Sequence, residues 1–124
     1  LIDPGKHILL SKKIKVFINF KDNKNLYDLI SNDFKKLSYS NSFELVTNKN
    51  MSNLSLEIDK ELDDEEYEIS IHNKIIIKGG SLNALKMARS TLLQLSVNDR
   101  GRMTFPILTI KDNPDADYRG LLID

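Results

Sequence analysis

The spacing of the apolar residues changes along this chain, and that change most restricts how the chain can fold. From Lys13 to Phe20 apolar side chains stand at every second position, which is typical of a strand with one buried face. From about Lys24 to Leu37 they recur at intervals of three and four residues, which is typical of an amphipathic helix. The helical stripe consists of Leu26, Leu29, Ile30, Phe34 and Leu37. The chain is therefore predicted to begin with a strand followed by a helix.

The middle of the chain is predicted to be β-structure. Two short strands are expected near Phe43–Thr47 and Asn53–Ile58. Residues 67–77 then predict a hairpin that turns at His72 and Asn73, since Asn tolerates a positive φ.

A second helix is predicted after a pair of glycines. Ser81 is its expected N-cap, and it should end near Val97. Its apolar stripe consists of Leu82, Leu85, Ala88, Leu92 and Leu95. Met103–Ile110 is expected to be a further extended segment, in which Pro106 indicates a position at a sheet edge.

This order of elements predicts an α+β fold. The expected form is a two-layer sandwich, in which one mixed or antiparallel sheet carries both helices on one face. A chain of 124 residues suits one domain. Met103, Phe105 and Ile107 would share one face of the last strand, and either that face or residues 110–124 are expected to remain uncovered and to contact a partner.

The composition argues against several classes of function. Lys and Arg together number 18, as do Asp and Glu, so no net charge favours binding to nucleic acid or to an anionic membrane. The absence of cysteine excludes disulfides and thiolate zinc sites. No apolar run approaches the roughly 20 residues that span a bilayer. We predict no cofactor, no nucleic-acid partner and no membrane span.

Two motifs resemble ligand sites but fit structural roles better. The Gly-Gly-Ser sequence at 79–81 lies between a strand and a helix, where phosphate loops occur, but it lacks their further glycines and lysine. The acidic run Asp59–Glu66 contains Lys60 and lacks the alternating oxygen ligands and the glycine of a calcium loop. We therefore predict a structural turn and a solvated loop.

The other residue types that carry chemistry form no recognisable site. His7 and His72 are the only histidines, and no His-Glu-x-x-His pair of a zinc protease is present. No serine stands in a Gly-x-Ser-x-Gly sequence. Phe17 or Phe20, together with Phe34 and Phe105, is expected in the core rather than on a surface that stacks against sugars.

The second half of the chain carries an ordered series of short motifs. They are Tyr67–Ile71, Ile75–Gly80, Leu92–Leu95, Phe105-Pro106, Asp112–Pro114 and Tyr118–Asp124. The series resembles the passage of glycoside hydrolase family 20 β-N-acetylhexosaminidases at which the N-terminal domain leads into the catalytic barrel. The Tyr-Arg-Gly ending, followed by three apolar residues and Asp, is its most specific part. The chain departs from the family at Asp115–Asp117, where an aromatic residue is frequent, and in its second helix, which lacks an aromatic-Gly pair.

The resemblance implies how the chain is divided and what it does. Residues 1–113 would be an N-terminal accessory α+β domain, sometimes called zincin-like, and residues 114–124 a linker and the start of a truncated (β/α)8 barrel. The parent enzyme would hydrolyse terminal β-linked N-acetylglucosamine or N-acetylgalactosamine by substrate-assisted retaining catalysis. The fragment would catalyse nothing, would pack on the barrel of its own parent chain and would meet a glycan only through that parent. The family suggests an extracellular, periplasmic or lysosome-like location.

The resemblance also implies roles for two residues. Arg119 would bind the sugar hydroxyls at carbons 3 and 4, which suit a planar guanidinium with several donors. Asp124 would hold the parent active site together, and no residue of this chain would be catalytic or bind a metal. Two alternatives remain open: the same domain in an O-linked N-acetylglucosaminidase or α-glucuronidase, and an independent module that binds carbohydrate or protein.

Overall fold

The computed structural model describes residues 6–37 and 41–113 and the backbone of residues 121 and 122. The α-helices within these residues are α1 (Lys24–Leu37) and α2 (Leu82–Leu95), and a short 3-10 helix spans Lys49–Met51. No helix of the described residues has the length and apolarity needed to cross a bilayer. The strands are β1 (His7–Leu9), β2 (Lys13–Ile18), β3 (Ser42–Val46), β4 (Leu54–Ile58), β5 (Tyr67–Ile71), β6 (Ile75–Gly79), β7 (Val97–Asp99), β8 (Arg102–Pro106), β9 (Leu108–Asp112) and β10 (Leu121–Leu122). The predicted α+β class is confirmed.

Seven strands form the large sheet, in the order β10-β9-β5-β6-β4-β2-β3. β2 runs parallel to β3 and β4, and β4 runs parallel to β6, whereas β5 pairs antiparallel with β6 and β9. α1 connects β2 to β3, as expected for a crossover between parallel strands. The predicted hairpin is present, with Ile71 opposite Ile75. The large sheet is therefore mixed, as predicted.

A second sheet, of three strands in the order β1-β8-β7, does not follow from the sequence pattern. The segment Met103–Ile110 is two strands in different sheets, because the chain bends at Ile107, directly after Pro106. Arg100 and Gly101 join β7 to β8 with φ angles of 56° and 84°. Positive φ at both positions matches the twist of a two-residue hairpin turn.

One face of the large sheet and the two helices share a single core. On β2, Ile14 and Val16 are 0% exposed and Ile18 is 5% exposed, as the alternation predicts. The helices contribute to the same cluster the buried side chains of Leu26, Ile30, Phe34, Ala84, Leu85, Ala88 and Leu92. Burying a large aliphatic or aromatic side chain stabilises a fold by roughly 1.5–3 kcal/mol. This shared core therefore holds both helices against the sheet.

The apolar side chains Met103 and Phe105 of β8 are buried, although theirs is one of the two apolar regions that the sequence predicts could remain uncovered. Met103 is 1% exposed and Phe105 is 0% exposed. Both are covered because β8 turns toward the core, where the ring of Phe105 stacks on that of Phe34 at a centroid distance of 6.1 Å. Of the two alternatives, an uncovered face at Met103 and Phe105 is therefore wrong, and most of residues 110–124 lie outside the described residues. The large apolar side chains that are exposed among the described residues are Leu9, Leu37, Leu45, Met51, Leu82, Met87 and Val97.

Replacing Gly80 by Ala is expected to lower the free energy of unfolding by about 3 kcal/mol. A Cβ at this position would lie 1.8 Å from the carbonyl oxygen of Asp63, so the backbone would have to move. Gly101→Ala is the matched control. A Cβ there meets nothing within 4 Å, and only the positive φ of 84° opposes it, at a cost of about 1 kcal/mol. Urea unfolding of both variants measures the difference, and equal losses would contradict a specific contact at Gly80.

Candidate functional site

Arg119 and Asp124, the two residues to which the resemblance gives roles, lie outside the described residues. Their roles therefore stay predictions. The described part of the chain that comes before them ends at Asn113, directly after β9. Described side chains at this end of the large sheet form hydrogen bonds to Asp112 and Asn113, the last described residues before Arg119. The surroundings of Asn113 therefore form the candidate site.

The Gly-Gly-Ser sequence at 79–81 is a structural turn, as predicted. Ser81 Oγ accepts a hydrogen bond of 3.2 Å from the backbone N–H of Ala84 and so caps α2. The same hydroxyl donates to the carbonyl oxygen of Asp64 at 2.5 Å, and the N–H of Gly80 donates to the carbonyl oxygen of Glu66 at 3.0 Å. The turn thus fastens the acidic loop, residues 59–66, to the start of α2.

The acidic loop uses its carboxylates to close its own turns. The carboxylate of Asp59 accepts from the backbone N–H of Glu61 at 3.0 Å, and Glu66 Oε1 accepts from that of Asp63 at 3.0 Å. Residues 63–65 are exposed, as expected of a solvated loop. Within the described ranges, no group of three His, Cys, Asp or Glu side chains is placed to hold a metal ion.

Tyr67 joins three elements at the end of β9. Its hydroxyl lies 2.8 Å from Oγ1 of Thr91 on α2 and 3.1 Å from Oδ2 of Asp112 on β9. The Tyr67 hydroxyl donates its one proton to Asp112. The single hydroxyl proton of Thr91 is shared between the Tyr67 oxygen and the carbonyl oxygen of Met87, which lies 3.3 Å from Thr91 Oγ1. Successive bonds of this kind polarise one another in a site shielded from water, and Tyr67 is 4% exposed. The network therefore ties β5, β9 and α2 together.

The residue after Asp112 is attached to the acidic loop. Asn113 Nδ2 donates to Asp63 Oδ2 at 2.9 Å. The second oxygen of Asp112, Oδ1, is buried and accepts no hydrogen bond from the described part of the chain. Two consecutive residues at the end of β9 thus bond to β5 and to the acidic loop.

The other face of the large sheet carries a row of alternating charges. Glu57, Lys78, Glu68 and Lys111 are successive cross-strand neighbours on β4, β6, β5 and β9. Lys111 Nζ lies 3.3 Å from Glu68 Oε1. The shallow depression at this row is lined by Glu68, Ser70, Ile76, Lys78, Thr109 and Lys111. Because none of these residues is aromatic, the depression offers no platform for stacking a sugar ring.

The shifted pKa values lie near the edge strand β3 and do not indicate a catalytic group. A hydrogen bond from Lys13, whose Nζ lies 2.6 Å from Oε1 of Glu44, and the charge of Lys13 lower the pKa of the Glu44 carboxyl. Burial, with the charges of Asp28 and Glu44, raises the pKa of Tyr27. Both shifts move away from neutral pH, whereas a general acid or base works best with a pKa near it.

The sequence profile of one protein family matches most of the chain. The family is glycosyl hydrolase family 20, domain 2, and the match runs from residue 2 to residue 113. The chain belongs to this family. The resemblance drawn from the motifs of the second half is therefore confirmed, and the match extends over the first half, where motifs are lacking.

Solved structures share the fold of this family 20 domain. A Flavobacterium johnsoniae chitobiase is 26% identical with a TM-score of 0.69, over 97% of this chain and 20% of that chain. A Vibrio harveyi GH20 exo-β-N-acetylglucosaminidase is 19% identical with a TM-score of 0.75, over 90% of this chain and 17% of that one. For a Streptomyces plicatus N-acetyl-β-hexosaminidase the values are 13% and 0.76, over 91% and 24%. The chain thus spans about a fifth of these proteins. No curated protein sequence matches it.

The network around Tyr67 was not predicted from the sequence. Tyr67 and Asp112 both belong to motifs of the family resemblance, but 45 residues separate them and no local spacing indicates that they meet. The pairing of β5 with β9 places them opposite each other. Only this register, together with the position of Thr91 on α2, brings the three side chains together.

Replacing Tyr67 by Phe is expected to lower the free energy of unfolding by about 1–3 kcal/mol, because it removes a hydrogen-bond donor to the Asp112 carboxylate. Tyr27→Phe removes a hydroxyl on α1 that lies outside this network, and we expect a change within about 0.5 kcal/mol. Denaturant unfolding of the two variants measures both effects. A loss at Tyr67 no larger than at Tyr27 would show that the network contributes little.

Proposed function

We propose that this chain is the accessory N-terminal domain of a β-N-acetylhexosaminidase whose catalytic residues lie elsewhere in the parent chain. The match to family 20, domain 2, over residues 2–113 carries this proposal. The solved relatives support it, since they are named as β-N-acetylhexosaminidases, an exo-β-N-acetylglucosaminidase and a chitobiase, and are several times longer than this chain. Within residues 6–37 and 41–113, no group of three His, Cys, Asp or Glu side chains is placed to hold a metal ion.

The proposed parent enzyme removes terminal β-linked N-acetylglucosamine or N-acetylgalactosamine. By analogy with the family, the acetamido oxygen of the substrate attacks the anomeric carbon, while an enzyme carboxylic acid protonates the leaving oxygen. The domain contributes no group to these steps. Its proposed role is to pack against the catalytic barrel and to stabilise it.

The parent enzyme is expected to release nitrophenol from nitrophenyl N-acetyl-β-glucosaminide, and the 124-residue chain alone is expected to release none. The physical reason is that no carboxylate of this chain would be held in place by a barrel rim. A continuous absorbance assay on both purified proteins measures the difference. Turnover by the short chain that persists through purification and scales with protein concentration would contradict the accessory role.

We further propose that Arg119 binds two adjacent hydroxyls of the sugar in the parent enzyme. A planar guanidinium presents several donors in a fixed geometry, whereas an ammonium is a single compact charge. Asp124, by the same resemblance, would help to hold the active site together. The competing role for Arg119 is a salt bridge that only stabilises the barrel.

Arg119→Lys in the parent enzyme is expected to lower kcat/KM at least about tenfold, equivalent to about 1.4 kcal/mol of transition-state stabilisation. The melting temperature should hardly change, because lysine keeps the charge. Steady-state kinetics and thermal unfolding test the two expectations together. If the variant unfolds easily while its folded fraction keeps full activity, the structural role is correct instead.

A further inference from the structure

The chain contains two Asn-x-Ser sequences that directly follow one another. They are Asn50-Met51-Ser52 and Asn53-Leu54-Ser55. An Asn-x-Ser or Asn-x-Thr sequence in which x is not proline is the acceptor for N-linked oligosaccharides, and it is expected at the surface of a secreted protein. The sequence does not distinguish the two asparagines, but their surroundings in the folded domain are different.

Asn50 lies in an exposed turn. The 3-10 helix at residues 49–51 connects β3 to β4, the Asn50 side chain is exposed and Met51 is 57% exposed. Asn48 closes this turn, because its Oδ1 accepts from the backbone N–H of Asn50 at 2.9 Å and its carbonyl oxygen accepts from that of Met51 at 3.0 Å. Both bonds use the backbone of the turn and neither uses the Asn50 amide side chain. A sugar attached to Asn50 Nδ2 would therefore extend into water.

Asn53 is enclosed by bonds to β2. Its Nδ2 donates to Ser11 Oγ at 2.9 Å and to the carbonyl oxygen of Lys13 at 3.4 Å, and its Oδ1 accepts from the backbone N–H of Lys15 at 2.7 Å. These bonds hold the beginning of β4 against the beginning of β2. A sugar carbon on Asn53 Nδ2 would replace one amide proton and compete with Ser11 and Lys13 for the space beside that nitrogen. A chain modified at Asn53 would therefore lose this contact between the two strands.

We propose that Asn50 accepts an N-linked oligosaccharide, and that Asn53 does not, when the parent chain passes through a secretory pathway. Asn50 Nδ2 forms a bond to C1 of the first sugar of a lipid-linked oligosaccharide diphosphate. The bond between C1 and the diphosphate oxygen breaks, the lipid diphosphate leaves with the bonding electron pair, and the amide nitrogen loses one proton to solvent. The inference does not depend on the activity of the parent enzyme, because the secretory pathway supplies both the sugar donor and the transferase.

The fold selects between the two sites after the transfer. Ser52 is 7% exposed and Ser55 is 0% exposed. The serine is part of each acceptor sequence, so both sequences are accessible to a transferase only before the domain folds. A chain modified at Asn50 can then fold around an exposed turn, whereas a chain modified at Asn53 cannot form the bonds between β2 and β4. The folded, secreted protein should therefore carry the oligosaccharide at Asn50 alone within this domain.

Site mapping on the full parent chain, secreted from a eukaryotic host, tests the proposal. Peptide N-glycosidase in heavy-oxygen water releases the oligosaccharide and leaves a mass tag on the residue that carried it. Peptide mass spectrometry then distinguishes Asn50 from Asn53. Asn50 is expected to be tagged in most molecules and Asn53 in none. An untagged Asn50, or a tagged Asn53, in the secreted wild-type protein would overturn the proposal.

Asn50→Gln removes the exposed acceptor and should abolish the tag within this domain, with little change in melting temperature because the side chain is exposed. Asn83→Gln is the matched control. It makes the same substitution at an exposed position of α2 outside any acceptor sequence, and it should leave the tag at Asn50 unchanged. If secreted Asn50→Gln protein instead carries the tag at Asn53, the fold does not exclude that site and the proposal is wrong.

Discussion

Burial of apolar side chains from the large sheet and both helices in one core is the interaction on which the rest of this structure depends. Phe34 of α1 is at its centre, with the ring of Phe43 on β3 at 5.9 Å and that of Phe105 on β8 at 6.1 Å. Aromatic pairs at such distances add about 0.5–1.5 kcal/mol beyond the burial of their area. Because Phe105 belongs to the small sheet, this contact also holds the second sheet against the first helix.

Close packing at the start of α2 also fixes the position of the acidic loop, residues 59–66. Gly80 leaves room for the backbone of Asp63, and the N-cap Ser81 bonds to Asp64 as well as to α2. An acidic run that in isolation would be a solvated loop is thereby held next to the end of β9. The side chains of residues 63–65 are exposed, while the backbone of the loop is hydrogen-bonded to the start of α2.

The charged and polar side chains of the large sheet have structural roles. The charges on the outer face of the sheet alternate and largely neutralise one another, and pairs of this kind at a surface contribute little to stability. Tyr67, Thr91 and Asp112 are polar groups whose hydrogen bonds connect two strands and a helix at the end of β9. Membership of family 20 is consistent with both observations.

The sequence by itself determined the elements, because the spacing of apolar residues reports locally which face of a strand or helix is buried. It predicted α1 at Lys24–Leu37, the hairpin of β5 and β6, the N-cap at Ser81 and, through short ordered motifs, the family. Tertiary structure alone decided the rest. The break at Ile107 sends Phe105 into a second sheet and into the core, and strand register brings Tyr67 opposite Asp112. These outcomes depend on contacts between residues far apart in the chain, which no local pattern encodes.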